Sequence, residues 1–130
     1  MEAAAEKKAI VLCVDDEATA LFFRKLVLQK SGFDVITASS AQRAMEMLSE
    51  NRVDLVLSDI LMPNVPGTEL ARQIKQQYPE MLVVLISGVN EVPQEASHAD
   101  LFISKLEGPV ALCEKLRMVL NKNGMSAKSV

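Results

Sequence analysis

The sequence is short of the residues that most often carry chemistry by themselves. Its 130 residues include two cysteines and one histidine. Cys13 and Cys113 stand in separate apolar segments with no CxxC or Cys/His spacing. That excludes the spaced metal-binding pairs and leaves two buried, reduced thiols as the expectation. His98 lies in an irregular stretch, not placed as a metal ligand or phosphorelay histidine, and reads as a surface-loop residue. No basic segment stands out, and the net charge is −3, which argues against direct nucleic-acid binding. No apolar run approaches the ~20 residues of a membrane span. The opening "MEAAAEKK" is acidic and polar where a secretion signal would be basic and then apolar. The expectation is a soluble cytoplasmic protein without membrane attachment.

What is present suits one globular domain. Apolar residues make up 49% of the chain and charged residues 24%, an ordinary balance. A chain of this length buries about two-thirds of its unfolded surface and needs no disulfide or metal staple. The expected domain is 1–130, with a core of about 8–122 and short flexible tails.

Five short runs rich in aliphatic residues read as strands: Ala9–Asp16, Phe33–Ala38, Asp54–Asp59, Met81–Gly88 and Leu101–Lys105. Most are continuous, not alternating, as in strands buried on both faces. Helical patterns separate them. "ATALFFRKLVLQKSG" stops at Ser31-Gly32. "SSAQRAMEMLSEN" offers Ser39 or Ser40 as N-cap and Ala44, Met47 and Leu48 on one face. "PGTELARQIKQQYP" places Leu70, Ile74 and Tyr78 on one face. "GPVALCEKLRMVLNK" has Pro109 near its start and a stripe of Leu112, Leu116, Val119 and Leu120. The connection between the fourth and fifth strands, "VNEVPQEASHAD", carries Pro93 and little periodicity, so its helix should be shortened or irregular.

Strands alternating with helices imply an α/β fold, a parallel sheet covered on both faces. Right-handed crossovers bring the C-terminal ends of all strands to one edge, where such sheets bind ligands. Polar residues close four of the strands: Asp15-Asp16-Glu17 the first, Asp59 the third, Ser87 the fourth and Lys105 the fifth. Carboxylates so close repel one another unless a cation joins them. An all-oxygen set with room for water suits Mg²⁺ or Mn²⁺. A phosphoryl group beside that ion would attract a lysine and a hydroxyl. Asp59 would be its nucleophile.

On "VLCVDDEAT", "LVLSDILMPNVPGTEL", "VVLISG" and "FISK" the chain resembles the receiver domain of bacterial two-component response regulators, over roughly residues 8–122. The most specific element is Asp59 followed by Met62, Pro63 and Gly67, together with the acidic pair Asp15-Asp16. The resemblance implies a flavodoxin-like, doubly wound, five-stranded sheet of order 2-1-3-4-5. It also implies roles. Asp59 matches the phosphoacceptor, and Asp16, Asp59 and the backbone carbonyl of Leu61 match the Mg²⁺ ligands, with Asp15 acting through water. Ser87 matches the switch hydroxyl, Lys105 the cation that pairs with the phosphoryl group, and Phe102 an aromatic that changes rotamer on activation. The side chain of Leu61 sits where the family tunes the rate of reset.

The implied partners are a sensor histidine kinase or phosphotransfer protein, an unidentified output partner, and a second copy in a homodimer. The protein would catalyse only its own phosphorylation and dephosphorylation. With too few residues after Lys122 for another domain, the expectation is a receiver without an effector, either stand-alone or cut from a longer protein. Two alternatives are a receiver-like interaction module not regulated by phosphorylation, and a Mg²⁺-dependent phosphohydrolase with an aspartyl intermediate. The latter generally needs a general acid where Leu61 stands. Three departures from the pattern have consequences. Leu106 follows Lys105 where the family usually has proline, often cis; a non-proline cis bond costs about 2.5–4 kcal/mol, so a trans loop of different shape is expected. The stretch from Ser87 to Lys105 is about four residues short, which alters a usual output surface. Val65-Pro66 precede Gly67, and Pro66 suits a helix start.

Overall fold

β1 (Ile10–Val14) runs through the middle of the molecule because its residues are apolar on both sides. In the computed structural model, which describes residues 8–88 and 98–122, it lies between β2 (Asp34–Ala38) and β3 (Leu55–Asp59). β4 (Leu82–Ser87) and β5 (Leu101–Ser104) complete an all-parallel sheet of order 2-1-3-4-5. The connections are α1 (Ala18–Lys30), α2 (Ala41–Glu50) and α3 (Gly67–Gln77), and α4 (Gly108–Lys122) closes the described fold.

Alternation along each strand feeds two apolar layers. Val11, Cys13, Leu55, Leu57, Val84, Ile86 and Ile103 point to the α1 and α4 side, where they meet Leu21, Leu28, Leu112, Leu116 and Leu120. Leu12, Val14, Val56, Val83 and Leu85 point to the α2 and α3 side, where they meet Ala44, Leu48, Leu70 and Ile74. Cys13 and Cys113 are buried and unbridged, as expected.

The helix ends follow local chemistry. Ser40 is the N-cap of α2, its Oγ accepting from Arg43 N at 3.0 Å. Ser31 ends α1 and Gly32 follows at φ +97°, the left-handed region that glycine enters freely. Gly32 N then donates to Gln29 O and Phe33 N to Leu28 O. α4 fastens this turn, since Arg117 donates to Ser31 O at 2.8 Å and lies over the Phe33 ring.

Two details differ from the sequence reading. The acidic pair lies past the end of β1, although Asp15 N still donates to Ala38 O of β2 at 3.2 Å. β5 ends at Ser104, and Lys105 opens a 3₁₀ turn, Lys105–Glu107. Glu17 is the N-cap of α1, accepting from Ala20 N at 3.2 Å. Tyr78, the C-cap of α3, packs on the same layer as Leu70 and Ile74, as its spacing implied. The expected irregular fourth helix falls in 89–97, outside the described residues. Immediately after them Asp100 anchors β5, its Oδ2 accepting from Val83 N and from Lys75 Nζ, each at 2.8 Å. His98 is exposed. Among the described residues no helix is long and apolar enough to cross a membrane.

Candidate functional site

The site forms where β1, β3, β4 and β5 end. Asp59 is the last residue of β3 and faces Ile86 in register, so Ser87 lies one residue further along β4. Ser87 in turn pairs with Ser104, which places Lys105 next past the edge of β5. Register therefore brings Asp59, Ser87 and the residue before Lys105 to one edge of the sheet.

Asp59 is buried, with 5% of its surface exposed. Its two carboxylate oxygens have different surroundings. Lys105 Nζ donates to Oδ2 at 3.2 Å. Oδ1 is buried and has no hydrogen-bond partner among the described residues. A buried, unpartnered anionic oxygen is costly unless a ligand completes it. Burial raises the Asp59 carboxyl above the ordinary carboxylate range, and the neighbouring Asp15 adds to the rise. Lys105 and Arg24 oppose it.

Asp15 is almost wholly buried and its oxygens are engaged. Oδ1 accepts from Glu17 N and Oδ2 from Arg24 Nη1, both at 3.0 Å. Asp16, the next residue, is exposed. Leu61 is two residues past β3, its side chain 58% exposed. Phe102 lies opposite Leu85 on β5, half-buried against the α2 and α3 layer.

These residues fit a hard divalent cation in one specific way. Among the described residues no three Asp, Glu, His or Cys side chains form a ready-made metal cage. Mg²⁺ does not need one, because it keeps several waters and takes only one or two carboxylates. The orphaned Oδ1 of Asp59 and the exposed carboxylate of Asp16 are oxygen donors of that kind. Sulfur chemistry has no place here: burial pushes the Cys13 thiol up to about 12, which leaves it unreactive.

The turn after Asp59 depends on two backbone conditions. Asn64 takes φ +70°, and Val65 N donates to Pro63 O at 2.8 Å, which redirects the chain into α3. Gly67 then starts α3 against the C-terminal end of β3. A Cβ there would stand 2.2 Å from Asp59 O, so only glycine fits. Ser58 Oγ donates to the same carbonyl at 2.9 Å.

Two contributors were not singled out from the sequence. Arg24 pairs with Asp15, and its signal was a charged residue between Leu21 and Leu28 on the buried stripe of α1. The segment "SKLE" forms a capping box. Ser104 Oγ accepts from Leu106 N at 3.1 Å, while the Glu107 carboxylate accepts from Ser104 N at 3.2 Å. Serine three residues before glutamate is a legible signature. Lys115 pairs with Glu107 and ties this turn to α4.

Residues 11–117 match the description of the response regulator receiver domain. The chain is 34% identical over 114 residues to the transcriptional regulatory protein CitT of Bacillus subtilis, covering 85% of this chain and 50% of that protein. It is 26% identical over 123 residues to the alkaline phosphatase synthesis transcriptional regulatory protein PhoP of the same species, covering 92% and 51%. The chain thus spans about half the length of these relatives. Its fold is similar to a CheY-like response regulator receiver domain protein from Methanospirillum hungatei, with a TM-score of 0.84, 26% identity, and coverage of 93% of this chain and 100% of the other. The response regulator TrrA from Thermotoga maritima, solved in complex with Mg²⁺-BeF, gives a TM-score of 0.81 at 28% identity, covering 86% and 99%.

Proposed function

The chain belongs to the response regulator receiver domain family, and from that premise we propose that it is a phosphorylation-activated switch with Asp59 as its phosphoacceptor. The observation that carries this reading is the asymmetry of Asp59, with one oxygen held by Lys105 and the other buried without a partner.

In the reaction, a carboxylate oxygen of Asp59 attacks the phosphorus of a phosphohistidine in line. The new O–P bond forms as the P–N bond breaks, and the imidazole leaves. When bound, Mg²⁺ (or Mn²⁺) would neutralise charge on the phosphoryl oxygens, held by Asp16, Asp59 and the Leu61 carbonyl, with Asp15 acting through water. Lys105 starts on Asp59 and can follow the charge onto the phosphoryl group. Ser87, beside it at the end of β4, supplies a hydroxyl donor to the same oxygens. The partly exposed ring of Phe102 neighbours the moving β4 and β5 ends and can change packing with them. Reversing a 1:99 balance of two packings to 99:1 takes about 5.5 kcal/mol of preference for one of them.

The phosphodonor would be a sensor histidine kinase or phosphotransfer protein. The receiver would report to an output partner or to a second copy of itself. Its chemistry is limited to its own phosphorylation and dephosphorylation, since apolar Leu61 supplies no general acid for turnover of a separate phosphomonoester.

Incubation with a small phosphodonor and Mg²⁺, read by intact mass, tests the reading. The expected result is a gain of one phosphoryl group, lost in Asp59→Asn. No gain with any donor would favour an interaction module independent of phosphorylation.

A further inference from the structure

Helix α1 departs from ordinary amphipathicity, with a charge on its inner stripe and aromatics on its outer face. Its buried residues are Leu21 and Leu28. Arg24 is one turn after Leu21 and one turn before Leu28, so it shares their core-facing stripe. Phe22 and Phe23, by contrast, are 58% and 59% exposed. An arginine facing the interior costs solvation unless it is paired. The partner of Arg24 is Asp15, at 3.0 Å, with the two side chains only 11% and 2% exposed.

This pair changes what the acidic pocket offers a cation. Asp15 is held by Arg24 on one oxygen and by Glu17 N on the other. Asp59 is held on one oxygen by Lys105. Both buried carboxylates therefore already face a fixed positive charge from the chain itself. A divalent ion entering beside them gains less attraction than it would from free carboxylates, and it meets the guanidinium as a like charge.

We propose that Arg24 is a positioning residue that acts as the resident cation of the acidic pocket, stabilising it without metal and raising the Mg²⁺ concentration needed to fill it. This rests on the receiver reading above. It predicts a direction opposite to that of a merely structural arginine. Loss of a purely structural residue would distort the pocket and weaken metal binding. Loss of a competing charge strengthens it.

The test is calorimetric titration of the full chain with Mg²⁺ at fixed ionic strength. Arg24→Met should bind Mg²⁺ about tenfold more tightly than the unaltered protein. Arg24→Gln keeps a donor for Asp15 while removing the charge, so it remains informative if Arg24→Met does not fold; it too should bind several-fold more tightly. Arg24→Lys should stay near the unaltered protein. Binding that is equal or weaker in folded Arg24→Gln overturns the proposal. If binding depends on Asp59 but ignores Arg24, only this proposal falls. If no variant and no unaltered protein binds Mg²⁺, the metal-assisted reading falls with it.

Discussion

Lys105 Nζ lies 3.2 Å from Asp59 Oδ2 although Asp59 closes β3, Lys105 follows β5, and β4 runs between those strands. The lysine reaches across without a proline behind it. Among the described residues no peptide bond is cis, and Leu106 points outward, 74% exposed. The aim of Lys105 comes instead from the 3₁₀ turn it opens. Ser104 and Glu107 cap that turn reciprocally, and Lys115 holds Glu107 from α4.

Loss of the cap should loosen the lysine. Ser104→Ala removes the acceptor for Leu106 N, a change of about 1 kcal/mol in the stability of such a cap. Phosphoryl uptake from a small donor is expected to slow about fivefold, with Asp59 still the modified residue. An unchanged rate by intact mass would mean that packing alone aims Lys105.

Asp59 should lower stability at neutral pH. Its folded carboxyl is raised, by burial first and Asp15 second. The folded state thus holds a proton that the unfolded chain releases at lower pH. The contribution to stability is full below the ordinary carboxylate value and is lost as pH rises through the raised one. Asp59→Asn is therefore expected to melt roughly 3 °C higher than the unaltered protein at pH 7 without metal. The gap should shrink as the pH falls through the carboxylate range. Mg²⁺ should narrow the gap from the other side, because ten times its Kd stabilises a binding fold by about 1.4 kcal/mol. Melting curves with and without Mg²⁺, at pH 7 and pH 4, check both signs.

Gly67→Ala should damage both fold and site. The added carbon would meet Asp59 O at 2.2 Å and Ile60 Cα at 3.0 Å, both backbone atoms that cannot swing away. A loss of about 2–3 kcal/mol in urea unfolding is expected, together with slower labelling of Asp59. Full stability in the variant would contradict the close contact of α3 with the end of β3.

Reset should be slow. Leu61 is exposed, two residues after the proposed phosphoacceptor Asp59, and its apolar side chain cannot orient an attacking water. Leu61→Asn or Leu61→Glu is expected to release phosphate about tenfold faster, a contribution within the range of positioned polar groups. Equal phosphate-release rates would remove Leu61 from the control of reset.

Much of this was readable in the chain. Strand runs and helical stripes set the α/β class, because burial on two faces demands continuous apolar strands. The residues closing those strands nominated Asp15, Asp16, Asp59, Ser87 and Lys105, because parallel crossovers send those ends to one edge. Ser31-Gly32 and Ser40 marked helix limits through local hydrogen bonding alone. The capping box in "SKLE" was legible for the same reason, being a short-range pattern.

Tertiary structure decided what depends on residues far apart in sequence. No local rule distinguishes the two oxygens of Asp59. One is held by a lysine 46 positions away, and the other is buried without a partner. Nor does helical periodicity explain Arg24, which violates the stripe of α1 until Asp15 is folded against it. The sequence by itself determined which carboxylates stand at the ends of strands, since the apolar run that precedes each is a property of its own segment. Which cations meet them was left to the packed fold, since an ion pair forms only where the tertiary structure brings both charges out of water together.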